Sequence, residues 1–143
     1  LEGNPADLTI TTHVCRGNYH STYACTGPYD TIAPFLFAKE NVDAFYLEFD
    51  DERSGGFESL KYIPKDKKVI LGLITSKRAD LEDKDFIKQR IAEASKYVDL
   101  DRLNLSPQCG FASCEIGNKL TDEDQWAKLK LVKDIANEVW GDK

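Results

Sequence analysis

The sequence lacks three features, and each absence excludes a class of protein. No apolar run approaches the ~18 residues that a membrane-spanning helix needs, so we expect no membrane span. Basic residues are not in excess: 19 Lys and Arg stand against 25 Asp and Glu, and the net charge of −6 argues against a nucleic-acid partner. No secretory signal opens the chain, so its four cysteines indicate a reducing compartment, with the cytoplasm as the expected location.

What remains describes one globular unit. A length of 143 residues, with 41% hydrophobic and 31% charged content, suits a single domain over residues 1–143 with a real core. No internal repeat or linker divides it. Because the chain opens with Leu1 rather than Met, we expect a fragment of a longer protein.

Strand and helix signals alternate along the chain. Apolar and β-branched runs predict the strands, and apolar residues at steps of three and four predict the helices. This alternating order predicts an α/β fold whose parallel strands are joined by right-handed crossovers. The predicted strands cover residues 8–15, 44–49, 68–74 and 102–105, and the predicted helices cover 31–40, 57–62, 84–97 and 121–140.

Helix ends and faces can also be predicted from single residues. Asp30 is the expected cap of the first helix, and Thr121 with Asp124 forms a loose capping box at the last, which Gly141 closes. The faces expected to be buried are Ile87, Ile91, Ala94 and Val98 in one helix and Leu129, Val132, Ala136 and Val139 in the last.

Four residues of metal-binding type fall at the ends of predicted strands. His13 and Cys15 alternate at the end of the first strand and therefore share a face. Glu48 ends the apolar second strand, where a carboxylate must be paired, protonated or bound to a metal. Cys109 follows the fourth strand. Because ligand sites in parallel sheets lie at the carboxyl ends of the strands, we expect the four to converge. The alternative is a buried histidine beside a buried cysteine.

Two thiolates, an imidazole and a carboxylate make a complete tetrahedral zinc shell. Three anionic ligands leave the ion a poor activator of water, which argues against a hydrolase. Such a zinc can still hold a substrate thiol as thiolate near neutral pH, especially if the carboxylate loosens as the thiol binds. The reaction class that this chemistry favours is thiol alkylation. Cys25 and Cys114 are expected to lie outside the shell, and an empty site could hold Cys15 and Cys109 oxidised to each other.

These residues resemble the catalytic domain of cobalamin-independent methionine synthase. The resemblance rests on His13-x-Cys15, on Glu48 at the end of the next strand and on Cys109 in a Pro-x-Cys-Gly turn, 61 positions after Glu48. It covers essentially the whole chain and implies the C-terminal half of a TIM-type (β/α)8 barrel. It also implies a zinc methyltransferase in which zinc-bound homocysteine takes a methyl group from 5-methyltetrahydrofolate to give methionine.

Two departures from the full-length family concern the methyl donor. The long segment between Cys15 and Glu48 looks more like the short, single-barrel relatives. The third strand ends in Thr75-Ser76-Lys77, where the full-length enzymes carry a histidine thought to protonate the leaving folate. His20 is the candidate replacement acid, although it also reads as an exposed loop histidine. We therefore predict that the complete protein uses free 5-methyltetrahydrofolate poorly and prefers a donor that needs no protonation, such as a methyl-corrinoid.

Three alternatives stay open. A related barrel enzyme could alkylate another thiol, the chain could be a zinc-binding module without turnover, or the half-barrel could be inactive alone. Four parallel strands leave two open edges, which predicts either a missing N-terminal half of the barrel or a homodimer across those edges. The residues that contact homocysteine are expected mostly in the missing half, so none is assigned.

Overall fold

The computed structural model describes Gly3 and residues 5–141. Strands and helices alternate in it as the sequence predicts, with short 3-10 turns at 52–54, 58–62 and 100–102. The strands are β1 (Thr11–Val14), β2 (Ala44–Glu48), β3 (Lys68–Ile74) and β4 (Leu103–Pro107), and the helices are α1 (Ala33–Lys39), α2 (Lys84–Ala94) and α3 (Asp122–Trp140).

The four strands form one sheet in chain order, β1-β2-β3-β4, and every pair is parallel. His13 pairs with Tyr46, and Glu48 pairs with Gly72. Because all the strands point the same way, their carboxyl ends meet at one edge of the sheet. The register between β3 and β4 shifts after Gly72, close to the end that carries Cys109.

The core lies on one face of the sheet, beneath the helices. Strand residues alternate between the two faces, and the apolar side chains of one set join a single buried cluster. On the opposite face Tyr46 is 38% exposed. The cluster members contributed by the strands include Phe45, Leu47, Val69, Leu71, Leu73 and Leu103.

The buried face predicted for α2 is confirmed, since Ile87, Ile91, Ala94 and Val98 are all at most 1% exposed. The helix nevertheless ends at Ala94 rather than Tyr97. The capping box of α3 is also confirmed: Thr121 accepts from the Asp124 amide, and the Asp124 carboxylate accepts from the Thr121 amide.

One helix prediction is wrong, and another is confirmed only in part. Asp30 does not cap α1, because the helix starts later, at Ala33, with Ile32 in the cap position and no side-chain cap bond. On the predicted face of α3, Val132 and Val139 pack against the core although they are only half-buried, whereas the buried residues are Lys128, Leu131 and Ile135. Lys128 is a charged residue whose ammonium binds Glu82, so a search for apolar periodicity passes over it and selects the neighbouring stripe.

No helix within the described part of the chain combines the length and the apolar character needed to cross a bilayer.

Candidate metal centre

The carboxyl end of the sheet brings the four predicted ligands together. His13 lies on β1 and Cys15 directly after it, Glu48 ends β2, and Cys109 stands two residues beyond the end of β4. The candidate ligand atoms of His13, Cys15, Glu48 and Cys109 all lie within 4.8 Å of one another. Neither Cys25 nor Cys114 joins this cluster.

The spacing of the ligand atoms suits zinc. Bonds of about 2.0–2.3 Å in a tetrahedron separate neighbouring ligand atoms by roughly 3.3–3.8 Å. The two sulfurs, Cys15 Sγ and Cys109 Sγ, lie 3.9 Å apart as free thiols. His13 Nε2 and Glu48 Oε1 lie 3.6 Å apart. Nitrogen and sulfur donors with one carboxylate also match the ligand preference of zinc rather than that of Mg²⁺ or Ca²⁺.

The two thiols have opposite electrostatic environments. Burial by itself raises the pKa of Cys109, but hydrogen bonds with His13 and Ser113 outweigh it and lower that pKa to about 7. Protein atoms that displace water from Cys15 raise its pKa to about 11, despite the Gly17 amide that donates to its sulfur. The hydrogen bond with Cys109 in turn raises the pKa of His13. The pKa shifts of Cys109 and His13 therefore both favour the pair in which the thiol is ionised and the imidazole is protonated.

Glu48 is fully buried yet well supplied with donors. Its Oε2 accepts from the Arg16 amide at 3.1 Å, and the Arg53 guanidinium lies 3.7 Å away. Its Oε1 accepts from Gln108 Nε2 at 2.5 Å. Because a bare buried carboxylate is costly, these donors explain how an anion can end a strand whose other residues are largely apolar.

Sequence reasoning missed Gln108, which is 1% exposed and precedes Cys109. Its amide oxygen accepts from Ser76 Oγ at 2.9 Å and from Lys77 Nζ at 3.2 Å, while its nitrogen donates to Glu48. The available signal was its position between Pro107 and Cys109, at the same strand end as a predicted ligand.

A second group of polar side chains ties the loops of the site together. Asn18, directly after Gly17, donates to Gly110 O at 2.7 Å and to Ser113 Oγ at 2.8 Å. Asn118 donates to Asn18 Oδ1 and to Ser76 O. These bonds connect the loops that follow β1, β3 and β4, so they fix the backbone that follows Cys109.

The loop at residues 16–29 has a structural role. Arg16 donates to Glu48 O and to Gly27 O, and its guanidinium lies 3.8 Å from the centre of the Tyr29 ring. The Tyr29 hydroxyl donates to Val14 O and accepts from the Glu48 amide. This loop therefore joins the ends of β1 and β2 behind the cluster.

His20 sits in a tight turn on the same loop. His20 and Ser21 have positive φ values of 45° and 65°, and Tyr19 and Thr22 bridge the turn. His20 Nδ1 lies 3.1 Å from Gly117 O, so this nitrogen carries the proton and donates to the carbonyl. This hydrogen bond anchors the turn. The proposed role of His20 as an acid stays a prediction.

Lys77, in the loop that follows β3, is buried rather than exposed. It is 9% exposed, and Nζ donates to Gly17 O, Asn18 Oδ1 and Gln108 Oε1. Burial, with a smaller effect from Arg53, lowers the pKa of its ammonium. The Lys77 ammonium therefore holds its proton less tightly than that of an ordinary lysine.

A pocket of about 270 Å³ opens beside the cluster on the face of the sheet opposite the helices. His13, Tyr46, Ser106 and Cys109 are among the residues that line it. A larger cavity of about 400 Å³ lies between the loop after β2 and α2, and none of the four ligands lines it. The smaller pocket is the one that gives access to the candidate ligands.

Comparison with known proteins identifies the family to which this chain is similar. Residues 3–138 match the family described as "Cobalamin-independent synthase, Catalytic domain". The chain is 58% identical to the uncharacterized protein YxjG of Bacillus subtilis over 98% of its own length, and 56% identical to YxjH of the same organism over 95%. It spans only 37% and 36% of the length of these relatives.

Two solved structures share the fold. One, from Listeria monocytogenes and described as a candidate vitamin-B12 independent methionine synthase, is 46% identical with a TM-score of 0.76. The match covers 99% of this chain and 38% of the Listeria chain. The other, a B12-independent methionine synthase from Shewanella sp. W3-18-1 in complex with selenomethionine, is 24% identical with a TM-score of 0.77. The match covers 96% of this chain and 40% of the Shewanella chain.

The predicted architecture is confirmed: the parallel sheet and its helices are half of a (β/α)8 barrel. The match over residues 3–138 and the identity to the Listeria structure agree with the family resemblance found in the sequence. The chain belongs to the catalytic-domain family of the cobalamin-independent methionine synthases.

Proposed function

We propose that the protein containing this chain is a zinc-dependent methyltransferase that methylates homocysteine to methionine. The observation that carries this proposal is the convergence of His13, Cys15, Glu48 and Cys109 within 4.8 Å at the carboxyl end of the sheet. Membership of the methionine synthase family supports the methyl-transfer reaction class.

The four residues have distinct proposed roles. Cys109, with its pKa near 7, is the thiolate available to hold a metal at neutral pH, and His13 and Cys15 complete one side of the shell. Zinc, when bound, would lower the pKa of the substrate thiol and so keep it as a thiolate. Glu48, the only oxygen ligand, is the member that would give up its place to that thiol.

The pocket beside the cluster has room for the substrate. A volume of about 270 Å³ is close to the lower end of the range for small-molecule sites. Because this chain spans only 36–40% of the length of its curated and solved relatives, we propose that the remainder of the protein covers the pocket and contacts the amino and carboxylate groups of homocysteine. A homodimer across the open edges is the alternative.

The methyl donor is the least supported part of the proposal. The end of β3 offers Lys77 rather than histidine, and three acceptors occupy its ammonium. His20 donates to Gly117 O. We therefore propose a donor that needs little acid assistance, such as a methyl-corrinoid, in preference to 5-methyltetrahydrofolate. A cytoplasmic location also stays a prediction.

The test is a metal analysis followed by a thiol titration on the full-length protein. We expect one zinc per chain, methionine production from homocysteine, and loss of both in Cys109→Ser. Cys25→Ser, a matched change outside the cluster, should retain both. Stoichiometric zinc without any response to homocysteine would contradict the enzyme and favour a binding module, whereas turnover with another thiol would contradict the substrate.

Comparing the two donors is a separate assay. Brisk turnover with 5-methyltetrahydrofolate that His20→Asn leaves unchanged would contradict the proposed donor preference, while the assignment of the thiol site would stand.

A further inference from the structure

The cluster has a second layer of hydrogen bonds centred on Gln108. The chain of contacts runs from Lys77 Nζ to Gln108 Oε1 at 3.2 Å and from Gln108 Nε2 to Glu48 Oε1 at 2.5 Å. Ser76 Oγ donates to the same Gln108 oxygen at 2.9 Å. All four side chains are at most 9% exposed, so water does not compete for these bonds.

The chemistry of the partners fixes the orientation of the Gln108 amide. A lysine ammonium only donates hydrogen bonds, so the Gln108 atom that faces it must be the oxygen. The amide nitrogen therefore faces Glu48, whose carboxylate oxygen accepts from it. Reversing the amide would place donor against donor at Lys77 and acceptor against acceptor at Glu48.

Gln108 binds the functionally important oxygen of Glu48. Oε1 is the oxygen nearer to His13, at 3.6 Å from Nε2, and so it faces the ligand cluster. Oε2 points the other way, toward the Arg16 amide and the Arg53 guanidinium. Gln108 therefore competes for the one carboxylate oxygen best placed to serve the metal.

A carboxylate that leaves the metal needs other hydrogen-bond donors. Glu48 is fully buried, and a buried anion without donors is strongly destabilised. The Gln108 amide is already oriented and is polarised by Lys77, so it can donate to the displaced carboxylate without movement of the backbone.

We propose that Gln108 is a positioning residue that holds the Glu48 carboxylate after a thiol substrate takes its place. The inference rests on the proposed thiol-binding function of the cluster. It assigns Lys77 and Ser76 the task of keeping the Gln108 amide in the productive orientation. Removing the Gln108 amide should weaken thiol binding while leaving metal binding largely intact, because Glu48 then remains a metal ligand.

The test uses the full-length protein loaded with Co²⁺, whose visible spectrum reports the ligand set, and titrates it with homocysteine. Gln108→Met keeps the length of the side chain and removes both hydrogen-bonding groups. Gln89→Met makes the same change on the exposed surface of α2 and serves as the matched control. We expect Gln108→Met to retain one metal per chain and to weaken homocysteine binding by about 10–100-fold, the usual cost of removing an outer hydrogen bond at a metal site.

A second variant guards against misfolding of the first. Ser76→Ala removes one of the two donors that orient the amide, and it should weaken homocysteine binding about threefold to tenfold with unchanged metal content. Loss of metal in both variants, or unchanged thiol affinity in either folded variant, would overturn the proposal. Failure of the proposed function would look different, because the unsubstituted protein would then show no spectral response to homocysteine.

Discussion

The two faces of the sheet carry different kinds of side chain. Toward the helices, Phe45, Leu47 and Leu71 are at most 1% exposed and belong to one apolar cluster. On the opposite face, Tyr46 is 38% exposed and the pocket beside the candidate ligands is open. Adjacent residues of one strand thus belong to regions with different tasks.

The difference separates stability from chemistry. The helix-covered face gains stability from buried apolar surface, whereas the pocket face holds its groups by directed hydrogen bonds such as that between Gln108 and Glu48. Substitutions on the first face should change the free energy of unfolding, and substitutions on the second should change metal and thiol binding. The predictions below test this separation.

The largest expected effect comes from the neighbours Phe45 and Tyr46. Phe45→Ala should lower the free energy of unfolding by ~3–5 kcal/mol, because it leaves a cavity in the apolar cluster. Tyr46→Ala should cost about 1 kcal/mol or less, because Tyr46 is partly exposed and the bond of His13 to its backbone survives. Urea unfolding of both variants measures the difference. In the 143-residue chain, equal costs would contradict the separation of the two faces, whereas in the full-length protein they would reflect the covering of the pocket proposed above.

The second effect separates the two thiols by pH. In zinc-free protein a pKa near 7 leaves about half of Cys109 ionised at pH 7, while a pKa near 11 leaves roughly 1 in 10⁴ of Cys15 ionised. The more basic thiolate is the better nucleophile, which reduces the expected advantage of Cys109 to about 10²-fold in rate.

Alkylation with iodoacetamide, followed by peptide mapping, measures each site. The Cys109 rate should rise as pH increases through about 7 and then level off, while Cys15 should still be rising above pH 9. Bound zinc should protect both. Faster reaction of Cys15 at pH 7 would contradict the electrostatic description of the cluster.

How far the sequence predicts this molecule depends on the type of signal. The strand ends and the convergence of His13, Cys15, Glu48 and Cys109 follow from β/α alternation, because parallel strands must bring their carboxyl ends together. The resemblance to a known family adds the order of these ligands.

The supporting groups could not be predicted in this way. Lys77 contacts Gln108 and Asn18 across 31 and 59 positions of sequence, and no local pattern marks a polar residue as buried. The same limit explains why the prediction for α3 omits Lys128, since this residue looks like a surface lysine until Glu82 is seen beside it. Apolar periodicity predicts a core only where the core is apolar.

A smaller effect is expected at Gly72, where the two regions meet. A Cβ built there would lie 2.9 Å from Leu47 O and 3.0 Å from Gln108 Cα, so backbone on both neighbouring strands would have to move. Gly72→Ala should therefore cost ~1–3 kcal/mol and also weaken zinc binding by displacing Gln108 and Cys109. Gly110→Ala is the control, since its Cβ would meet only Ser113 Oγ, at 3.6 Å. If Gly72→Ala loses stability but keeps full zinc affinity, the two faces are more independent than proposed.

The smallest effect concerns the start of α3, which packs on β4 and α2 at the helix-covered side. The Thr121 hydroxyl accepts from the Asp124 amide at 3.2 Å, and Thr121→Ala removes this bond while the reciprocal one to the Asp124 carboxylate survives. We expect a loss of about 1 kcal/mol in the free energy of unfolding, restored by Thr121→Ser. Zinc affinity should not change, because the cap lies outside the cluster. Yet Lys119, two residues earlier, donates to Ser21 on the loop after β1. Weaker zinc binding in Thr121→Ala would therefore show that a helix end on the stabilising face is coupled to the ligand loops through this connection.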